Sequence, residues 1–239
     1  MSASDSFEVT DVNRVKRVHE RGRYDHATIY AILDAALVCH IAYVIDGRPY
    51  CTPTGFWREG DHLYWHGSSA SRMIRTQAAG IPVCLTVTHV DALVMARSGF
   101  HHSVNYRSAM AFGTAHKIED EATKLRLMDN FIDRIYPGRS KEIRQPNKQE
   151  FKATTLMGME IETASGKIRD KHVSDEEEDY AGVRAWSALY PIEQTIGAPE
   201  ECVRQIKGLG FPAGMTDYVP GARLDTLLSK AYRRVFQEE

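Results

Sequence analysis

No apolar run in this chain approaches the roughly 18 residues that a membrane-spanning helix needs, so no membrane span is expected. Met1–Val12 is polar and acidic and lacks an apolar centre, which argues against a secretory leader. Cysteine is scarce: Cys39, Cys51, Cys84 and Cys202 are the four in 239 residues, and none are spaced as CxxC. That argues against a disulfide scaffold and for buried free thiols in a reducing compartment. The net charge of -2 gives no bulk attraction to nucleic acid or anionic lipid. Neither a Walker A loop nor GxGxxG occurs, which points away from ATP and Rossmann dinucleotide binding. There is no GxSxG elbow for a serine hydrolase. His62, His66, His101 and His102 have no carboxylate or thiol at a recurrent ligand spacing, so no metal site is expected. From these absences we expect a cytoplasmic protein partnered by neither nucleic acid nor membrane.

What is present is an ordinary globular mixture, 43% hydrophobic and 26% charged. We read one domain over 1–239, with an N-terminal arm (1–20, of which 1–12 is loose) and a C-terminal extension (165–239). Helical spacing predicts His26–Ala36, with Asp25 as N-cap, Ser71–Ala79, Asp120–Ile135 and Leu224–Phe236. Between them come strand-like runs: Val38–Ile45, turning at Asp46-Gly47, then Pro49–Trp57, Leu63–His66, Pro82–Val90, Ala92–Ser98, Ser108–Ile118 and Leu156–Thr163. Lys148–Thr154 reads as a turn, Ser165-Gly166-Lys167 as the end of the last strand, and the acidic run Asp175–Asp179 as a solvated loop. Many short strands with few helices predict a mainly β fold with peripheral helices, a closed or partly closed β-barrel. The helix–strand alternation of a doubly wound sheet is missing.

Two polar clusters carry the chemistry. LYWHGSSASR (Leu63–Arg72) is a strand that breaks at Gly67 into a serine-rich turn and then an arginine, with Ser71 placed to cap a helix. Close backbone approach, hydroxyls, a guanidinium and a helix start are what a phosphate monoester needs. RSGFHHSVNYRS (Arg97–Ser108) gathers arginines, histidines, serines, an asparagine and a tyrosine at the start of a strand, where they could close over a ligand. The alternatives, a solvated turn and an exposed polar loop, stay open on composition alone. Trp57, Trp65 and Trp186 suit a core or an interface as well as a ligand platform.

The stretches RGRYD (Arg21–Asp25), YCTPTGFW (Tyr50–Trp57), LYWHGSSASR, PVCLTVTHVDALVMARS (Pro82–Ser98), FHHSVNYRSAMAFGTA (Phe100–Ala115) and EEEDYAGVRAW (Glu176–Trp186) follow one another in a recognisable order. Together they resemble the flavin-nucleotide-binding branch of the pyridoxamine 5'-phosphate oxidase-like superfamily, related to the nitroimidazole-resistance proteins. The resemblance implies an FMN-binding split β-barrel of Greek-key type. It implies that Thr52, Pro53, Thr54 and Gly55 run along the flavin ring, that Trp65 and His66 contact the flavin and its ribityl chain, and that Ser71 and Arg72 hold the phosphate. Asn105, Tyr106, Arg107 and Ser108 would reach the cofactor from a neighbouring strand, and Trp186 from a second subunit of a homodimer whose site lies at the subunit interface. Met73 stands where relatives carry a lysine, and the substrate-gripping arginine and histidine of the pyridoxamine 5'-phosphate oxidases are not legible here. The expectation is therefore an FMN-dependent oxidoreductase on another small molecule, with His66 as proton donor. The alternatives are a flavin carrier or sensor without turnover, or a split barrel holding haem or a deazaflavin.

Overall fold

In the computed structural model, residues 5–236 are described. The chain runs β1 (Gly22–Arg23), α1 (His26–Asp34), β2 (Val38–Ile45), β3 (Arg48–Glu59), β4 (His62–Ser68), α2 (Arg72–Gln77), β5 (Ile81–Met95), β6 (Ser103–Lys117) and α3 (Glu121–Ile135). It continues through α4 (Lys148–Ala153), β7 (Thr154–Glu160), β8 (Thr163–Arg169), α5 (Glu177–Gly182), β9 (Ala188–Pro191) and α6 (Leu224–Phe236). The strand order is β1-β8-β6-β7-β4-β3-β2-β5-β9, and β5 also pairs with β6. That last pairing returns the order to β6, so β6, β7, β4, β3, β2 and β5 form a cycle with β8–β1 and β9 appended. This mainly β cycle is the strand pattern of a split barrel.

The chain divides into two compact units, and β5 and β6 each run through both. One unit holds residues up to Ile32, Thr86–Ala111 and Thr163–Glu193. The other holds Leu33–Leu85, Phe112–Glu162 and Gln194 onward.

In the second unit the β2–β3 hairpin turns where Asp46 (φ 49°) and Gly47 (φ 74°) are both left-handed, as a type I′ turn demands. The hairpin pairs Tyr43 with Tyr50 and Ile41 with Thr52, and β3 then pairs Phe56 with Trp65 of β4. Trp57, Leu127 and Leu156 form a core cluster joined by Tyr64, Ile118, Phe131 and Phe236. Gly113 is required by a close approach: a Cβ there would collide with the Glu160 carbonyl oxygen. Gly67 likewise admits Ile74, so α2 can lie against β4.

In the first unit, β1 pairs Gly22 with Lys167 and Arg23 with Gly166 of β8. Ile29 and Ile32 of α1 pack against Gly166, and Asp25 caps the helix by accepting from the Thr28 amide at 2.8 Å.

Several local expectations need correction. Residues 5–12 are tied down: the Phe7 amide donates to Tyr24 O, and the Phe7 ring lies 4.2 Å from His26. The two strands expected over 82–98 are one, because no glycine or proline breaks His89-Val90-Asp91 and His89 Nε2 is held at 3.0 Å from Ile32 O. The expected turn at 148–154 is a helix with a capping box between Asn147 and Glu150. Ser165-Gly166-Lys167 lies inside β8. Asp175 is not solvated: its side chain is fully covered and accepts from the Arg97 amide at 3.0 Å and Arg97 Nη1 at 3.2 Å. Burial would raise that carboxyl, but hydrogen bonds from Arg97 and Ser98 outweigh it and hold it below the ordinary range. Of the cysteines only Cys39 is buried, while Cys51 and Cys202 are exposed; all four are free thiols.

Candidate functional site

The residues singled out in the sequence fall into the two units. Thr52–Gly55, Trp65, His66, Ser71 and Arg72 belong to the second, and Asn105–Ser108 and Trp186 to the first.

In the second unit, strand alternation separates the neighbours Trp65 and His66. Trp65 points into the core, wholly buried, with Nε1 donating to Gln77 Oε1 at 3.0 Å. Its indole is committed, and its backbone lies between paired strands, opposite Phe56 of β3 and Met157 of β7. His66 faces the other way and stands edge-on to Phe131 of α3, 4.8 Å between centroids. A Cβ at Gly55 would sit 3.7 Å from the same phenyl ring, so Gly55 and His66 share Phe131 as a wall. Burial lowers the His66 pKa, so its imidazole is neutral at pH 7. Among the described residues neither ring nitrogen has a hydrogen-bond partner. A neutral imidazole with uncommitted nitrogens is a poor proton donor at neutral pH and a good ligand for a metal.

Arg72 is exposed, and its guanidinium carbon lies 4.5 Å over the Tyr50 ring. Tyr50 stacks at 5.7 Å on Tyr43, and the Tyr43 hydroxyl meets Thr52 Oγ1 at 3.1 Å. A continuous line therefore runs from α2 across the hairpin to Thr52. Among the described residues no carboxylate pairs with Arg72. Ser71 stands at the N-cap of α2 but its side chain makes no capping bond. The helix has only six residues, so its dipole adds little to the guanidinium charge. Thr54 is half-buried with a long contact of 3.4 Å from Oγ1 to Gly55 O, and Pro53 is exposed. Met73 is buried and packs inward.

In the first unit the polar groups are mostly engaged with one another. Arg107 grips both oxygens of Asp91, Nε to Oδ2 at 3.0 Å and Nη2 to Oδ1 at 2.8 Å, so its charge is already met. Asn105 is buried; its Oδ1 accepts from Arg169 Nη1, and its Nδ2 donates to Lys171 O at 2.9 Å. Ser108 Oγ makes a long 3.5 Å contact with Lys167 O. Tyr106 is half-buried. Trp186 is 70% exposed, with its ring 6.0 Å from Tyr190.

Sequence reasoning missed Tyr43, Tyr50 and Phe131 as parts of the site. The two tyrosines could have been found from hairpin register, since a turn at Asp46-Gly47 sets them opposite each other. Phe131 gave no signal beyond its place in the apolar stripe of α3.

The six-strand cycle, with a histidine and an unpaired arginine on its strand-to-helix edge, defines the split-barrel class. The chain belongs to the pyridoxamine 5'-phosphate oxidase family, whose pattern matches residues 25–168. It is similar to the flavocytochrome Anf3 from Azotobacter vinelandii, at 39% identity and TM-score 0.82 over 89% of this chain and 98% of that one. It is also similar to the FAD- and haem-binding protein from Mycobacterium smegmatis, at 32% identity and TM-score 0.79 over 85% of this chain and 98% of that one. None of the curated proteins matches. Among the described residues no helix is long and apolar enough to cross a membrane.

Proposed function

We propose that this chain is a flavin- and haem-binding redox protein that passes electrons to or from a small molecule. The observation that carries this reading is the likeness, across nearly their whole lengths, to a flavocytochrome and to a FAD- and haem-binding protein. The residues present fit both groups. Arg72, unpaired and stacked on Tyr50, suits the phosphate that FMN and FAD share. The neutral, unpartnered imidazole of His66 suits haem iron, and it replaces the proton-donor role expected from sequence. When bound, the flavin would supply two-electron and the haem one-electron exchange. The protein's part is to hold them: Phe131 fixes the His66 ring against rotation, Arg72 neutralises phosphate, and Gly55 keeps the β3 backbone open to a flat ligand. FMN alone was the sequence expectation; the nitrogens left free on His66 favour the reading with haem.

The proposal includes a homodimer. Val90 and Leu93 of β5 and Val104 and Met110 of β6 present exposed apolar side chains in the first unit, which suits a surface that meets a second copy. Sedimentation across a dilution series tests it, with a dimer expected and a concentration-independent monomer against it.

The test of the haem arm is His66→Ala. Hemin titration of the purified variant is expected to show affinity weakened by about tenfold or more, with flavin affinity unchanged and the Soret band restored by added imidazole. Unchanged hemin binding would remove His66 as the ligand, and a wild-type chain that takes up neither group would overturn the reading.

A further inference from the structure

The first unit holds a second cluster of positive charge that the groups assigned above do not use. The short 3-10 turn His19–Arg21 packs against β8 and leads directly into β1, whose Gly22 pairs with Lys167. Arg21 therefore lies at the end of the ladder from which Arg169 continues β8. Lys167 and Arg169, two apart on one strand, share a face. Arg169 is only 7% exposed, and the Asn105 side-chain oxygen and the Lys171 carbonyl hold its Nη1. Its Nε is closed off from water and has no partner, and the same is true of the Nε of half-buried Arg21. Among the described residues no carboxylate forms an ion pair with Arg21, Lys167 or Arg169. After burial itself, the strongest influence on Arg169 is the like charge of Arg21, against which Tyr106 and exposed Asp170 act more weakly.

Such an arrangement is costly in an empty protein. Two guanidiniums that repel each other, each with its Nε withdrawn from water and neither in an ion pair, lose hydration without recovering it. An anion presenting two or three oxygens would remove both defects, since a guanidinium fork matches carboxylate and phosphate. Asn105 fixes one nitrogen of Arg169, which leaves the orientation of the rest of the fork set in advance.

We propose that Arg21 and Arg169, with Lys167 beside them, form a binding site for an anionic oxygen group, either the carboxylate of a haem propionate or the second phosphate of FAD, which FMN lacks. The identity of the occupant rests on the flavin-and-haem reading; the demand for an anion does not.

Arg21→Gln is the main variant because Arg21 is half-buried and makes no side-chain bond that the fold needs. Arg169→Lys, which keeps charge but loses the fork, is the second. Hemin, hemin dimethyl ester, FMN, FAD and riboflavin are titrated into the full-length apoprotein, with absorbance and fluorescence quenching as readouts. Hemin affinity that falls about tenfold or more in Arg21→Gln, while the ester binds both proteins alike, assigns the site to a propionate. FAD affinity that falls by that factor, with FMN and riboflavin unaffected, assigns it to the second phosphate of FAD. If both variants bind every probe as the wild type does, the site is wrong. If the wild type binds neither hemin nor flavin, the functional reading fails, and inorganic pyrophosphate decides the site by itself. A rise in the melting point of wild type but not of Arg21→Gln upholds it, and no rise in wild type overturns it.

Discussion

Both units bury arginine, and they do so in opposite ways. In the second unit Arg58 forks onto Asp34, Nε to Oδ1 at 3.0 Å and Nη2 to Oδ2 at 2.5 Å, and lies 4.4 Å over the Tyr232 ring. Arg134 beside it donates to the backbone oxygens of Asp34 and Leu228, joining α3 to α6 and the end of α1. Arg134 also leaves its Nε without a partner, but after burial the strongest charge acting on it is the attractive carboxylate of Asp34. In the first unit the strongest charge acting on Arg169 is that of another arginine. A buried cation whose counter-charge comes from the fold is scaffold. One whose counter-charge is missing is waiting for a ligand.

That contrast can be broken by mutation. Arg58→Met strands a buried carboxylate, and chemical denaturation is expected to show a loss of about 3–5 kcal/mol. Arg21→Gln, by contrast, removes a repulsion and is expected to leave the apoprotein at least as stable as wild type; a comparable loss there would dissolve the distinction. Asn105→Leu releases the fork of Arg169 and leaves the Lys171 carbonyl without its amide donor. It is expected to cost about 1–3 kcal/mol, part of it recovered in saturating hemin or FAD. Asp91→Asn loosens a pair in which both side chains are about 30% exposed, so its effect on stability is expected to stay below about 1 kcal/mol and to shrink with salt.

The smallest effect concerns His66. Its folded pKa lies below the unfolded value of about 6.5, so below that pH the unfolded chain binds a proton that the folded chain resists. Stability should fall as pH drops through this window, and His66→Leu should flatten that slope in melts between pH 7 and 5. An unchanged slope would show that the imidazole is not held neutral.

Much of the architecture was legible because it was written in local signals. Asp46-Gly47 fixed one hairpin, Gly80 ended α2 with φ 79°, and the apolar stripes of α3 and α6 set their spans. Signals failed where tertiary partners overrode composition. Ser165-Gly166-Lys167 reads as the end of the last strand, yet Gly166 lies inside β8, where α1 packs on it. Asp175 sits in an acidic run, yet Arg97, 78 residues away, draws it inside. The site was half legible for the same reason. His66 and Arg72 stood out by type, whereas the pairing of Arg107 with Asp91 and the proximity of Arg21 to Arg169 depend on register between strands that no local pattern reveals.

The most direct test of the account is the absorbance spectrum of the purified chain, saturated with hemin and FAD, desalted, and assayed for each group per chain. We expect one Soret-absorbing haem and one flavin retained together. Flavin retained at full stoichiometry with no haem would contradict the two-cofactor reading and return the chain to the flavin-only members of its family.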